Sequence, residues 1–372
     1  MFLLRCCMTL RYSFVNFFKP DIFEVFFEVG QEMNPSVAIV GQGVIGCSTA
    51  LAVLQRFPKA KVVLIGDRPF EKICSFGPAG LFRLDKFDCK PWAKASFERF
   101  AEIEKQWTAE ETGVKLVSGH IQSDSEERLK SQEKNMADIV YNFRWLTDRE
   151  KNLLFVNPSK YCIHYTAYAS EGRRYVPWLK RQIEALGGTF VTKSISKLSS
   201  LADDGFNIVV NATGLAGGKL AGDDDTVFPV RGVAFEVHAP WHKHFNYRDF
   251  STFTIPMVDS VIVGSVKQDH RDDLEITDVD RREIFDRYEL LHPAFKGVKV
   301  ISEWSALRPE RPMIRLEKVD GVKSDGGKYT LIHNYGHGSN GFTMGWGCAL
   351  DVVKLIEEAQ GIAPILKIKA HL

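Results

Sequence analysis

The sequence predicts an α/β protein with a second region of mostly antiparallel sheet, and three observations carry that prediction. A glycine-rich GxGxxG turn joins a buried apolar run to an apolar helix pattern near residue 40. Alternating residues with turn signals fill 231–266, as expected of antiparallel sheet. Helical and strand patterns then alternate again toward the C-terminus, which is the signature of layered α/β architecture.

Ser36–Val40 reads as a buried strand, Val44–Phe57 as an apolar helix, and Lys61–Ile65 as a second β-branched strand ending at Gly66-Asp67. Together they form a βαβ unit. Lys90–Thr112 has the spacing of an amphipathic helix, while Ser123–Ala137 is polar enough to be a solvated surface segment. Arg173–Leu186 reads as a helix stopped by Gly187-Gly188, and Asn207–Asn211 as a buried strand. Asp278–Leu291 is helical and stops before Pro293; Tyr329–Asn334 is a late strand; Phe342–Ala359 is a final helix.

At 372 residues the chain is long enough for two domains. Its composition is 45% hydrophobic and 26% charged with a net charge of +1, so no field of one sign points to nucleic acid or an anionic membrane surface. Seven cysteines, an odd number with no CxxC pair, fit a reduced compartment without a disulfide framework or a zinc site. The Phe-rich residues 1–32 are interrupted by Arg5, Arg11 and Lys19, so no run reaches the roughly 18 residues of a membrane span. They read either as a loosely attached extension before a fold starting near Met33 or as a mitochondrial presequence. Ala370-His371-Leu372 has the small–basic–Leu pattern of the peroxisomal address, which implies an import receptor as partner and the peroxisome matrix as compartment, with the cytoplasm as alternative. Oligomeric state has no sequence signal.

The chemistry begins at Gly41-Gln42-Gly43-Val44-Ile45-Gly46. In such a turn the first glycine makes the bend, the second lets backbone approach a pyrophosphate, and the third lets helix and strand pack closely. The helix N-terminus offers free N–H groups and a positive dipole end to phosphate. Asp67 follows the second strand about 20 residues on, where a carboxylate accepts ribose hydroxyls, and Arg68 can reach the adenine or a phosphate. This Rossmann-like unit alone does not separate FAD from NAD. Asn211-Ala212-Thr213-Gly214 is either an ordinary strand-to-loop turn or one of the kind that lies beside the cofactor in flavoproteins.

The C-terminal third separates them. His333-Asn334-Tyr335-Gly336-His337-Gly338-Ser339-Asn340-Gly341-Phe342-Thr343-Met344-Gly345-Trp346 closely resembles the signature of the D-amino acid oxidase family, and Arg308-Pro309-Glu310-Arg311-Pro312 resembles the same family's arginine segment. The resemblance runs from about Val37 to about Glu357. It implies a Rossmann-like FAD-binding domain (35–88, 160–228 and 300–360) and a mostly antiparallel substrate domain (89–159 and 229–299), flanked by an extension (1–34) and a tail (361–372). It implies FAD as cofactor and oxidation of a small D-amino acid by molecular oxygen to a 2-oxo acid, ammonia and hydrogen peroxide. Gly41, Gly43, Val44, Ile45, Gly46, Asp67, Arg68, Ser75, Gly80, Leu81, Thr213, Gly214, Gly338, Gly341, Phe342 and Thr343 are the implied cofactor contacts. Arg308 is implied to grip the α-carboxylate, for which a planar fork suits better than an ammonium. The Ser339 carbonyl is implied to accept from the substrate amine.

Within the family the segment Pro240–Asp249 is similar to the D-aspartate oxidase branch, placing Arg248 and Lys267 as cations for a second carboxylate. Ser339 matches that branch too. Two departures stand out: Lys267 replaces an arginine, and Phe253 replaces a tyrosine hydroxyl near the substrate carboxylate. The alternatives are an oxidase of neutral D-amino acids, a related glycine or amine flavo-oxidase, and a catalytically silent flavin- or NAD-binding protein.

Overall fold

The computed structural model describes residues 34–362; the N-terminal residues and the Ala370-His371-Leu372 address lie outside the described residues. Two sheets organise the chain. The six-stranded sheet runs in the spatial order Arg315–Val322, Lys328–Tyr335, Ile208–Asn211, Ser36–Val40, Lys61–Gly66, Thr189–Thr192. All its neighbours are parallel except the first hairpin. A parallel strand covered on both faces must be apolar throughout, and Ser36–Val40, reading SVAIV, sits at the middle with four of its five residues buried. Helices Val44–Arg56 and Gly341–Ala359 pack on this layer, and Gly172–Ala185 packs against Val44–Arg56; Val44–Arg56 and Gly341–Ala359 are also packed on each other. Gly345 lets these two approach: a Cβ there would already lie 3.4 Å from Ile45.

The nine-stranded sheet runs Gln268–Asp269, Phe228–Val237, Val261–Gly264, Thr252–Pro256, Phe245–Arg248, Val114–Ser123, Tyr161–Ser170, Tyr141–Trp145, with Val300–Glu310 also paired to Phe228–Val237. It is antiparallel except where Val114–Ser123 meets Phe245–Arg248. Helix Asp278–Leu291 closes a second core, burying Ile284, Tyr288 and Leu291 against Val233, Phe235 and Val263. Behind it the fully buried Arg231 pairs with Asp280 at 2.9 Å, and Asp280 also caps the helix through Thr277.

Several elements differ from the sequence expectation. Tyr161–Ser170 and Val300–Glu310 pair within the nine-stranded sheet and not the nucleotide layer, so the boundaries drawn at 160 and 300 fall inside the wrong half. The chain crosses between sheets just after Glu310, before the strand starting at Arg315. Ser123–Ala137 is not merely solvated: Glu126–Met136 is a helix capped by Ser125, and Leu129, Gln132, Asn135 and Met136 are buried. Their spacing of three, three and one places them on one face. The expected single helix over 90–112 breaks into Lys90–Gln106 and a turn at Ala109–Thr112. Among the described residues no helix is long and apolar enough to cross a membrane, and no group of His, Cys, Asp or Glu has the arrangement to hold a metal.

Candidate active site

A single cleft of about 1630 Å³ runs from the glycine turn after the first strand to the nine-stranded sheet. That exceeds the 300–1,000 Å³ usual for one small ligand, so it has room for an extended cofactor plus a substrate. Its two ends are built differently.

At the six-stranded end the wall is backbone. Gly41 has φ +119°, and a Cβ there would sit 2.2 Å from the Ala212 carbonyl oxygen, so only glycine makes this turn. Gly46 does not line the cleft; its Cα packs on Gly41, where a Cβ would come within 1.9 Å of the Gly41 oxygen. That is the close helix–strand contact expected of the third glycine. The N-terminus of helix Val44–Arg56 has no side-chain cap from its own N-cap residue and no acid in its first turn. The Val44 N–H donates to Ser75 Oγ at 3.0 Å. Gly43, Val44, Ile45, Asp67, Arg68, Ser75, Gly80, Leu81, Thr213 and Gly214 all line the cleft. Arg68 pairs with Asp67 at 2.5 Å, and that hydrogen bond holds the Asp67 carboxyl below the usual carboxylate range. Trp304 lies against Gly77 on the wall, so close that a Cβ on Gly77 would be 2.2 Å from the indole.

The last helix brings a second N-terminus beside the first, with no side-chain cap from its own N-cap residue. Gly341 lies against Val44 and Ile45, and Gly338, Ser339, Gly341, Phe342 and Thr343 line the cleft. Gly338 has φ +54°, and a Cβ there would meet Glu310 Oε2 at 2.1 Å. Two adjacent helix N-termini with no acid in either first turn form a ready anion site.

At the nine-stranded end the wall is side chain. Arg308 sits across from Val230 near the end of Val300–Glu310. Its guanidinium occupies the space over Gly232, where a Cβ would lie 2.3 Å from Nη1. Nη2 donates weakly to Ser265 Oγ at 3.4 Å; Nη1 is buried with no hydrogen-bond partner among the described residues. Burial lowers the Arg308 pKa, because nothing within reach fully balances the charge. A desolvated, half-satisfied guanidinium is costly unless an anion completes it.

Lys267 lines the cleft but stands exposed at the rim. Arg248 does not line it, contrary to the sequence expectation. Side chains alternate faces along a strand, and in Phe245–Arg248 the cleft-facing residue is Tyr247. Arg248 therefore shares the opposite face with Asn246. Tyr247 stacks on Phe253, ring centroids 4.9 Å apart, and so brings a hydroxyl-bearing ring to the place where Phe253 has none.

The sequence reading missed Arg83. It lines the cleft, and its guanidinium lies 5.5 Å from the Tyr247 ring centroid and 5.1 Å from that of Phe250, with Nη1 paired to Asp85. Its carbonyl accepts from Asn340 Nδ2 at 2.7 Å and Thr343 Oγ1 at 3.1 Å, which ties it to the glycine-rich turn. The available signal was parity: Leu81 and Arg83 both line the cleft, while Phe82 and Leu84 between and after them are fully buried. His333 is a buried core group: it lies beside Asn211 Nδ2 at 3.4 Å, and burial pulls its pKa to about 4.

Comparison with known proteins agrees with this geometry. The family model described as FAD dependent oxidoreductase matches residues 36–355. The chain is 56% identical over 328 residues to D-aspartate oxidase 1 of Caenorhabditis elegans, covering 88% of this chain and 98% of that one. It is 34% identical to D-aspartate oxidase of Homo sapiens, covering 87% and 94%. The crystal structure of glycine oxidase from Bacillus cereus superposes with a TM-score of 0.70 at 19% identity, covering 88% and 96%, which shows a shared fold. The matched span takes in both sheets and both ends of the cleft, and the chain belongs to the FAD dependent oxidoreductase family.

Proposed function

We propose that this protein oxidises D-aspartate, with water and oxygen, to its 2-oxo acid, ammonia and hydrogen peroxide. The observation that carries the reading is the buried, half-satisfied guanidinium of Arg308 in the same cleft as the Ser339 turn. The relatives named D-aspartate oxidase support the substrate class.

The residues present fit FAD. The bare glycine Cα atoms at 41, 43 and 214 and the paired helix N-termini would hold its pyrophosphate and ring edge, and Asp67 its ribose. Bound FAD supplies a two-electron acceptor that oxygen regenerates. The chain's own contribution is orientation. Arg308 takes the α-carboxylate in a bidentate grip and the Ser339 carbonyl takes the amine, so that one face of Cα is presented. Burial of Tyr247 raises its hydroxyl pKa, so it stays a neutral donor beside the carboxylate.

A peroxide assay of the FAD-loaded enzyme across D-aspartate, D-glutamate, D-alanine, D-methionine and glycine tests the reading. The highest kcat/KM is expected for D-aspartate; preference for D-alanine or glycine overturns it. For compartment the reading is the peroxisome matrix, supported by the chemical match of Ala370-His371-Leu372 to the import address and by a peroxide-releasing reaction. Deleting Leu372 from a fluorescent fusion should release it to the cytoplasm.

A further inference from the structure

We propose that Arg83, on the loop after Gly80, is the cation that receives the second carboxylate of the substrate. The inference rests on the preceding reading of a D-aspartate substrate and assigns the selectivity within it.

Three observations lead there. The first is the contrast among cations at this end of the cleft. Lys267 and Arg128 are exposed at its rim, whereas the Arg83 side chain keeps 13% of its surface. A charge shielded from water discriminates between substrates far more strongly than one at the rim, because the interaction is not screened and a mismatched partner leaves it desolvated. The second is position. Tyr247 lies within electrostatic reach of both Arg83 and Arg308. The Arg83 backbone is bonded to Asn340, which ends the turn that carries Ser339, and to Thr343 in the first turn of the helix that follows. One short loop thus fixes Arg83 relative to the groups that hold the α-carbon. The third is charge. Asp85 engages Nη1 of Arg83 and also accepts from Gln132 at 3.3 Å. Among the described residues no second carboxylate bonds Arg83, and none bonds Arg308. A substrate with two carboxylates gives Arg308 one anion and adds a second to Arg83 beside Asp85; a neutral side chain leaves Arg83 with Asp85 alone. The Phe250 ring lies 5.1 Å from the Arg83 guanidinium and 4.7 Å from that of Arg128.

The test uses the flavin-loaded enzyme and two readouts. The first is the ratio of kcat/KM for D-aspartate over D-alanine. The second is binding of succinate against butyrate, acids of the same carbon count that differ in the second carboxylate, followed by perturbation of flavin absorption. In Arg83→Gln the D-aspartate to D-alanine ratio should fall by ~100-fold, the scale of removing one partner from a shielded charge pair, and the succinate preference should vanish. In Arg83→Lys, which keeps the charge and loses the fork, both should fall by about tenfold. If Arg83→Gln does not retain flavin, Arg83→Lys and the wild-type ligand comparison decide. Wild-type enzyme that binds succinate no better than butyrate, or Arg83→Lys that keeps the full preference, overturns the assignment. So does a ratio that moves with Lys267→Ala and not with the Arg83 variants. Wild-type preference for D-aspartate that survives Arg83→Gln sinks this inference alone, whereas wild-type preference for D-alanine sinks the reading beneath it.

Discussion

The two ends of the cleft solve the same problem, holding an anion, by opposite means. The six-stranded end uses backbone: a left-handed glycine at 41, a packed glycine at 46, and two helix N-termini side by side. The nine-stranded end uses side chains, chiefly Arg308, Arg83 and Tyr247, delivered from three separate stretches of chain. Backbone recognition is built from neighbours in sequence and tolerates little change, because no L side chain fits where the strand and helix touch. Side-chain recognition is built from distant residues and can be reassigned one residue at a time. The first kind of site suits a constant cofactor and the second a selected substrate.

If that division is right, the two ends should fail differently. Arg308→Met should lower kcat/KM by ~10³-fold or more while flavin stays bound, because it removes the partner of a shielded charge and leaves the glycine turns intact. Gly41→Val should do the reverse: the purified protein should lose its flavin, seen as a collapsed flavin-to-protein ratio, since its Cβ would overlap the Ala212 carbonyl. Flavin loss in the first variant or retention in the second would break the contrast.

A smaller effect concerns pH. Burial lowers the pKa of His120 and His242, in the nine-stranded half, to about 4, and that of His337, in the glycine-rich turn, to about 3. Unfolded histidine titrates near 6.5. Between these values the unfolded chain binds more protons than the folded one, so stability is complete above pH 6.5 and is lost as pH falls toward 4. The urea midpoint should therefore drop steadily over that window; a flat profile would show the histidines to be solvated. The smallest effect expected is Arg248→Leu, which should change stability by no more than about 0.5 kcal/mol and leave the D-aspartate to D-alanine ratio within twofold in the peroxide assay. A large selective loss would return Arg248 to the cleft.

Legibility in the sequence follows the same divide. The GxGxxG unit, the helix Asp278–Leu291 and the final helix could be read because their signals are local: turn glycines, a stop before Pro293, and apolar spacing over a few turns. The strands Val114–Ser123 and Tyr161–Ser170 could not, because they pair with each other across two intervening helices and a strand and carry polar residues at buried positions such as Gln122 and Thr166. Arg248 rests on a segment resemblance alone, and a shift of one residue turns a strand's whole set of side chains to the other face. Arg83 lay hidden in an apolar run, where a charged residue between Phe82 and Leu84 reads as incidental until the cleft is seen.

The indole of Trp304, pressed against Gly77 on the cleft wall, has a practical consequence. An aromatic chromophore arriving in that cleft would come close enough to absorb its emission, so cofactor uptake by apoprotein should announce itself as quenching that Trp304→Phe diminishes. The protein thereby carries an optical reporter of its own loading, and the kinetics of reconstitution can be followed without any added label.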